Sequence, residues 1–179
     1  MLLHWAIAAL ILANLYLGWR MGMIDGLARF DMFQLHKSIG ISVLLLSICR
    51  LAWRLGHRPP AYPDTMKPYE MWAASAVHLA FYAIMIAMPL TGWLVVSTSP
   101  MNLPTLLFKT VPWPHLPVHD LAPLMRSRVG HLSSTAHLLL AIGTSALVAM
   151  HVGAALKHQF FARDNVLGRM LPFGRSAQG

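Results

Sequence analysis

Residues 129–156 read VGHLSSTAHLLLAIGTSALVAMHVGAAL, a stretch without a single Asp, Glu, Lys or Arg. An uncharged apolar run of about 18 residues or more is long enough to cross a bilayer as a helix, and hydrocarbon leaves few other ways to satisfy a backbone. Residues 1–19 and 71–108 are equally free of charge. A shorter uncharged core, Ser38 to Cys49, is flanked by Lys37 and by Arg50 and Arg54. Long basic side chains can snorkel from such positions, so this segment also spans. The sequence therefore predicts an all-α chain, a four-helix transmembrane up-down bundle with spans at about 2–20, 34–55, 69–97 and 129–161. The last is longer than a bilayer needs and must tilt or project into water.

Composition agrees with this reading. Of the 179 residues, 56% are hydrophobic and only 11% charged, more apolar surface than a small soluble body can hide. The net charge of +8 raises the question of nucleic acid, but Lys and Arg cluster at the ends of apolar runs instead of forming a basic stripe, which argues against it. The single cysteine, Cys49, excludes an intrachain disulfide and reads as a small core or lipid-facing residue. The first apolar run lacks a preceding basic segment and a small-residue cleavage site, so it reads as a retained helix and not as a signal peptide.

The connections are marked by their composition. Residues 21–33 carry Gly22, Gly26, Arg29 and Asp31; residues 56–68, GHRPPAYPDTMKP, cannot be helical throughout; and Pro89 predicts a kink in the third span. Residues 98–128 contain six prolines and read as an external loop lying partly on the membrane surface, with Trp93 and Trp113 as interfacial anchors. Arg50, Arg54, Arg58, Lys67, Lys157, Arg163, Arg169 and Arg175 fall on one side of this topology, and Arg20, Arg29, Lys109, Arg126 and Arg128 on the other. The positive-inside bias then places both termini and the second loop in the cytoplasm.

Several of the ten histidines lie inside spans, among them His4, His36, His78, His137 and His151. An ionisable side chain in hydrocarbon needs a partner, which makes each a functional candidate. His137 and His151 are fourteen residues apart, which returns them to nearly one helix face at a separation of roughly 21 Å along the axis. One face at two depths suits two stacked cofactors better than one shared metal ion. With alternating span directions, His36 matches the depth of His137, and His4 that of His151. Two pairs of neutral imidazoles would saturate two haem irons, an arrangement for electron transfer and not for oxygen binding. A zinc or copper site would gather its ligands together, and no span core contains a carboxylate. The competing reading is that intramembrane histidines simply hydrogen-bond between helices, and for His78 that reading is preferred.

Other residues fit around the four histidines. Gly40, Gly143 and Gly153 would let a porphyrin approach the backbone, or would serve close helix packing. Arg50, fourteen residues after His36, reaches the inner depth and could neutralise a haem propionate there or set topology at the interface. His158 follows His151 by seven residues on the same face and is a candidate quinone or proton site, or a plain surface histidine.

These features together resemble the bacterial cytochrome b561 family, which is related to the cytochrome b subunits of nickel-iron hydrogenases. The likeness runs through LLHWAIAALIL (2–12), LHKSIGISVLLLSICRLAWRL (35–55), VHLAFYAIMIAMPLTGWL (77–94) and AHLLLAIGTSALVAMHVGAALKHQFFARDNVLGRMLP (136–172). It implies one cytochrome b561-type membrane domain over residues 1–179 in the bacterial inner membrane. It also implies two haem b groups with axial ligands His4, His36, His137 and His151, and electron exchange with quinone or quinol. One member type is described as oxidising superoxide on the outer side. Relatives usually carry several polar residues before the first histidine, whereas His4 stands three residues from Met1, on a helix end prone to fraying. That leaves His78, at the same depth, as the substitute ligand.

Three functions follow as expectations. The first is a dihaem carrier between the quinone pool and a donor or acceptor at the periplasmic face, with quinone oxidoreductase activity as its enzymatic form. The second is a cytochrome b anchor passing electrons for a partner dehydrogenase or hydrogenase. The third is a haem-free membrane interaction protein or transporter.

Overall fold

The computed structural model describes residues 1–57 and 66–162. Arg58 of the second loop and Arg163, Arg169 and Arg175 of the tail, four of the charges used to set orientation, lie outside the described residues.

Four helices carry the fold: α1 (Leu2–Arg20), α2 (Gly26–Gly56), α3 (Pro68–Thr98) and α4 (Pro123–Lys157), the last closed by a π-helical turn, His158–Ala162. All four are long and apolar enough to cross a membrane. The bundle is up-down: α2 packs on α1, α3 on α2, and most extensively α4 on α3. Ile7, Leu17, Ile39, Val43 and Met85 form a small buried core. Large apolar side chains such as Leu79, Leu132, Leu139 and Ile142 remain more than half exposed. In water such a surface would aggregate, whereas in a bilayer it is the lipid-facing wall. Cys49 belongs to that exposed surface.

Helix boundaries follow local chemistry. A 3-10 turn, Met21–Met23, ends α1, and the chain re-enters helix through Gly26 at φ +71, a conformation costly for other residues. From there α2 is continuous, so it begins eight residues earlier than expected at Gln34. Arg29 and Asp31 suggested a loop, but no proline interrupts this stretch, and charged residues are compatible with helix outside the hydrocarbon. Pro68 opens α3 at a position where a missing N–H costs nothing, and Glu70 Oε2 accepts a hydrogen bond from the Lys67 backbone N–H at 3.1 Å. Glu70 Oε1 also receives Lys157 Nζ at 3.2 Å, joining the start of α3 to the end of α4. Pro89 is accommodated within a helix that runs unbroken from Pro68 to Thr98. Likewise α4 starts six residues before Val129, at Pro123. At Gly130 an added Cβ would lie 2.8 Å from Thr98 Oγ1, so this glycine permits the close crossing of α3 and α4.

The loop from α3 to α4 holds structure that periodicity did not reveal. Strands β1 (Thr105–Leu107) and β2 (Val111–Trp113) pair antiparallel around a tight turn, with Phe108 and Lys109 at φ 50 and 65. This hairpin is bound to the helices. Phe108 N–H donates to Ser38 Oγ at 2.9 Å, Leu116 N–H to Ser97 Oγ at 2.9 Å, and Trp93 Nε1 to the Pro114 carbonyl at 2.9 Å. Gln34 Nε2 and Lys37 Nζ both donate to the Pro104 carbonyl, at 3.0 and 3.3 Å, while Lys109 pairs with Asp31 at 2.9 Å. The segment is therefore a cap fastened over one end of the bundle.

Ser38 is 0% exposed and bonded on both sides, to Gln34 O and to the cap. Ser38→Ala orphans the Phe108 N–H, a loss of about 1–3 kcal/mol. Limited proteolysis in detergent should then cleave within residues 104–116 sooner than in the unsubstituted protein, with a lower melting temperature; unchanged cleavage would show that the cap does not depend on this bond.

Candidate functional site

The intramembrane histidines gather at two levels. At the capped end, His36 from the early part of α2 faces His137 of α4, with ring centroids 6.0 Å apart and planes at 77°. At the other end, His151 of α4 meets two rings: His4 in the first turn of α1 at 6.3 Å, and His78 of α3 at 5.9 Å. Phe81 packs edge-on against His151 at 5.2 Å. The depth matching expected from alternating span directions is thus present as proximity. His78 lies as close to His151 as His4 does, so geometry keeps both as candidate partners.

Each ring of the capped pair is fixed by its Nδ1. His36 Nδ1 lies 3.1 Å from the Asn14 carbonyl, and His137 Nδ1 lies 3.0 Å from the Met88 carbonyl and 3.1 Å from Thr91 Oγ1. A carbonyl only accepts, so in both rings Nδ1 carries the proton and Nε2 keeps a bare lone pair. Thr91 sends its own hydroxyl hydrogen to the Met88 carbonyl at 2.7 Å, which makes it a second acceptor for His137 Nδ1–H. Imidazoles held in this way present Nε2 as a metal ligand, the arrangement that second-shell carbonyls commonly impose.

The fit to a bis-histidine metal can be tested by length. Two metal–nitrogen bonds of about 2 Å, each extended by a ring radius of roughly 1 Å, place the centroids of opposed imidazoles about 6 Å apart. The separations of 6.0 Å at one level and 6.3 or 5.9 Å at the other agree. The backbones of α2 and α1 scarcely approach α4, so His36 and His4 reach its histidines through their side chains, whereas α3, which carries His78, packs closely on α4. Among the described residues no His, Cys, Asp and Glu cluster of three could hold a bare metal ion, so these sites suit a prosthetic group that brings its own equatorial ligands.

The glycines closest to the rings differ from those singled out by spacing. A Cβ at Gly92 would lie 3.0 Å from His137 Cε1, and one at Gly18 3.4 Å from His36 Cε1. Gly143 and Gly153 meet nothing within 4 Å, and Gly40 only the Asn14 side chain at 3.6 Å. Close helix packing therefore does not account for Gly143 or Gly153. Gly92 and Gly18 escaped notice because each touches a histidine on another helix, a relation that spacing along one segment does not contain.

Arg50 sits over the Tyr82 ring at 5.6 Å and its charge reaches His4, His78 and His151, as its predicted depth requires. His158 opens the π-helical turn beside the Glu70–Lys157 pair. In the cap, His115 Nδ1 lies 3.2 Å from Asn102 Oδ1 and its ring lies 6.1 Å from that of His119. Burial first, then electrostatic interaction with His119 and Lys37, holds His115 below the ordinary imidazole value.

Comparison with known proteins bears on what these sites hold. Residues 1–173 match the prokaryotic cytochrome b561 family. The chain is similar to cytochrome b561 homolog 2 of Escherichia coli K12, at 29% identity over 98% of this chain and 90% of that protein. It is also similar to cytochrome b561 homolog 1 of the same organism, at 30% identity over 79% of this chain and 75% of that protein. A protein of Yersinia pestis named probable superoxide oxidase CybB is 26% identical over 95% of this chain and 92% of its own length. Membership implies b-type haem, and the paired imidazoles are suited to hold it. With four apolar helices and a match along nearly its whole length, the chain belongs to the prokaryotic cytochrome b561 family and is a multi-pass membrane b-type cytochrome.

Proposed function

We propose that residues 1–179 form one dihaem domain that passes electrons between the quinone pool and a donor or acceptor at the periplasmic face. The observation that carries this reading is the presence of two imidazole pairs, roughly 21 Å apart along α4, each at the centroid separation that a six-coordinate iron requires. His36 and His137 would hold one haem b, and His4 and His151 the other, with His78 the alternative to His4. Haem b supplies reversible one-electron chemistry at an iron whose two axial positions are filled.

The protein's own part is positional. Asn14, Met88 and Thr91 fix the tautomer and rotation of the outer imidazoles, and their hydrogen bonds raise the donor strength of Nε2. Apolar helix walls keep water from both levels. Arg50 supplies positive charge at the inner level, where a haem carboxylate would need it. The residue types of the loops favour the bacterial inner membrane with both termini cytoplasmic, so that the capped end faces the periplasm. Placed so, the outer pair would exchange electrons with periplasmic partners. Superoxide is one such donor, in view of the relative named probable superoxide oxidase. Quinone or quinol would react at membrane depth, with His158 as the candidate proton or quinone neighbour at the inner end.

Haem content and optical spectra of histidine variants test the assignment. His137→Ala and His151→Ala should each remove one haem, and a different one, halving the pyridine haemochrome yield; retention of two haems in either variant sinks it. At the inner level, His4→Ala and His78→Ala separate the rivals: the true ligand's loss halves haem content, whereas the other leaves the low-spin bands intact. Gly92→Ala puts a methyl 3.0 Å from His137 Cε1 and must turn that ring from its Nδ1 acceptors. We expect severalfold weaker haem retention at one site only, read by competition with apomyoglobin; retention equal to the unsubstituted protein would show that the ring adapts.

A further inference from the structure

Among the described residues Lys37 is a charge without a counter-charge. It is only 9% exposed, within the span of α2, and its Nζ touches the Pro104 carbonyl at 3.3 Å and the Phe33 ring at 5.0 Å. An ammonium has three donors, and one carbonyl and one ring face leave it short of partners. No ion pair among the described residues includes it. Asp25 pairs with Arg29, Asp31 with Lys109 and Glu70 with Lys157, while Asp120 lies exposed. Burying an uncompensated ammonium costs several kcal/mol even after relaxation, so such a residue persists where something anionic joins it.

The position identifies the anion. Lys37 follows His36, the residue whose ring faces His137, and lies beneath the cap that closes this end of the bundle. Haem b carries two propionate carboxylates on one edge, and they are the anions that the family's cofactor would bring to this level. The inner level offers a counterpart, since Arg50 stands by the His4, His78 and His151 rings. The Arg54 charge also reaches His78, so two cations serve that level, while Lys37 is the buried cation beside the capped one.

We propose that Lys37 forms a carboxylate subsite, holding a propionate of the haem that His36 and His137 ligate. The inference rests on the two-haem reading above. It makes Lys37 a positioning residue that also biases the redox equilibrium. A nearby positive charge favours the reduced iron, which carries one more electron, so removal of that charge lowers the midpoint potential of the adjacent haem.

Potentiometric titration of the haem-loaded full chain, unsubstituted and as Lys37→Gln and Lys37→Arg, tests this. Glutamine keeps an N–H that can serve the Pro104 carbonyl, so a role limited to holding the cap survives in Lys37→Gln while the charge does not. The expected result is a downward shift of one haem step in Lys37→Gln, with the other step unmoved and Lys37→Arg near the original value. The resonance Raman propionate-bending band should shift in Lys37→Gln alone. Loss of one haem in Lys37→Gln with full retention in Lys37→Arg supports the same conclusion. Unmoved steps with an unmoved propionate band would overturn it, as would equal shifts of both steps, or haem loss in both variants. Haem per chain, measured on the same samples, separates the two ideas. A ratio of one in the unsubstituted protein sinks the two-haem reading, and the Lys37 subsite then stands or falls on whether the single remaining step moves.

Discussion

An imidazole inside a hydrocarbon layer has two nitrogens and no water to satisfy them. At the capped end the protein settles one nitrogen of each ring: the Asn14 and Met88 carbonyls take the Nδ1 protons of His36 and His137. Everything else about this level follows from that choice. The opposite nitrogen is then unprotonated and offers a lone pair. Two such lone pairs in an apolar setting lack the solvation that water would give them. They become favourable when an electrophile sits between them.

Packing differs with the partner helix. The crossing of α3 on α4 is tight enough at Thr98 and Gly130 that even a methyl group would clash, and the same two helices bring His78 against His151. The backbones of α1 and α2 stay farther from α4, and the His4 and His36 side chains reach its rings across that interval.

The sequence made the spans legible because hydrocarbon imposes length and composition together, and alternating spans made legible the depths at which His36 lies near His137 and both His4 and His78 lie near His151. Three things were not. The early start of α2 was hidden by Arg29 and Asp31, which are compatible with a helix once it leaves the bilayer. The hairpin was hidden by proline content: Pro104, Pro112 and Pro114 mark a loop, but what fixes its shape is Ser38, Ser97 and Trp93, side chains on other segments. Gly92 and Gly18 matter through contacts across helices. Periodicity reports on one segment at a time, and each missed feature is a relation between two.

The two levels are unequal, and the inequality has physical consequences. The capped level is closed by a hydrogen-bonded hairpin, its rings are each pinned by a carbonyl, and its cation is buried. The other level has a ligand candidate on the first turn of α1 and a third histidine, His78, at a similar distance from His151. Its cation, Arg50, lies over the Tyr82 ring. Burial disfavours the oxidised, more positive state of an iron site, and a nearby fixed cation adds to that bias, so unequal enclosure sets unequal potentials. On the proposed reading the direction of electron flow therefore need not come from the haems, which are chemically identical; it comes from the protein, through the hairpin cap, the buried Lys37 and the ring contacts that differ between the two levels.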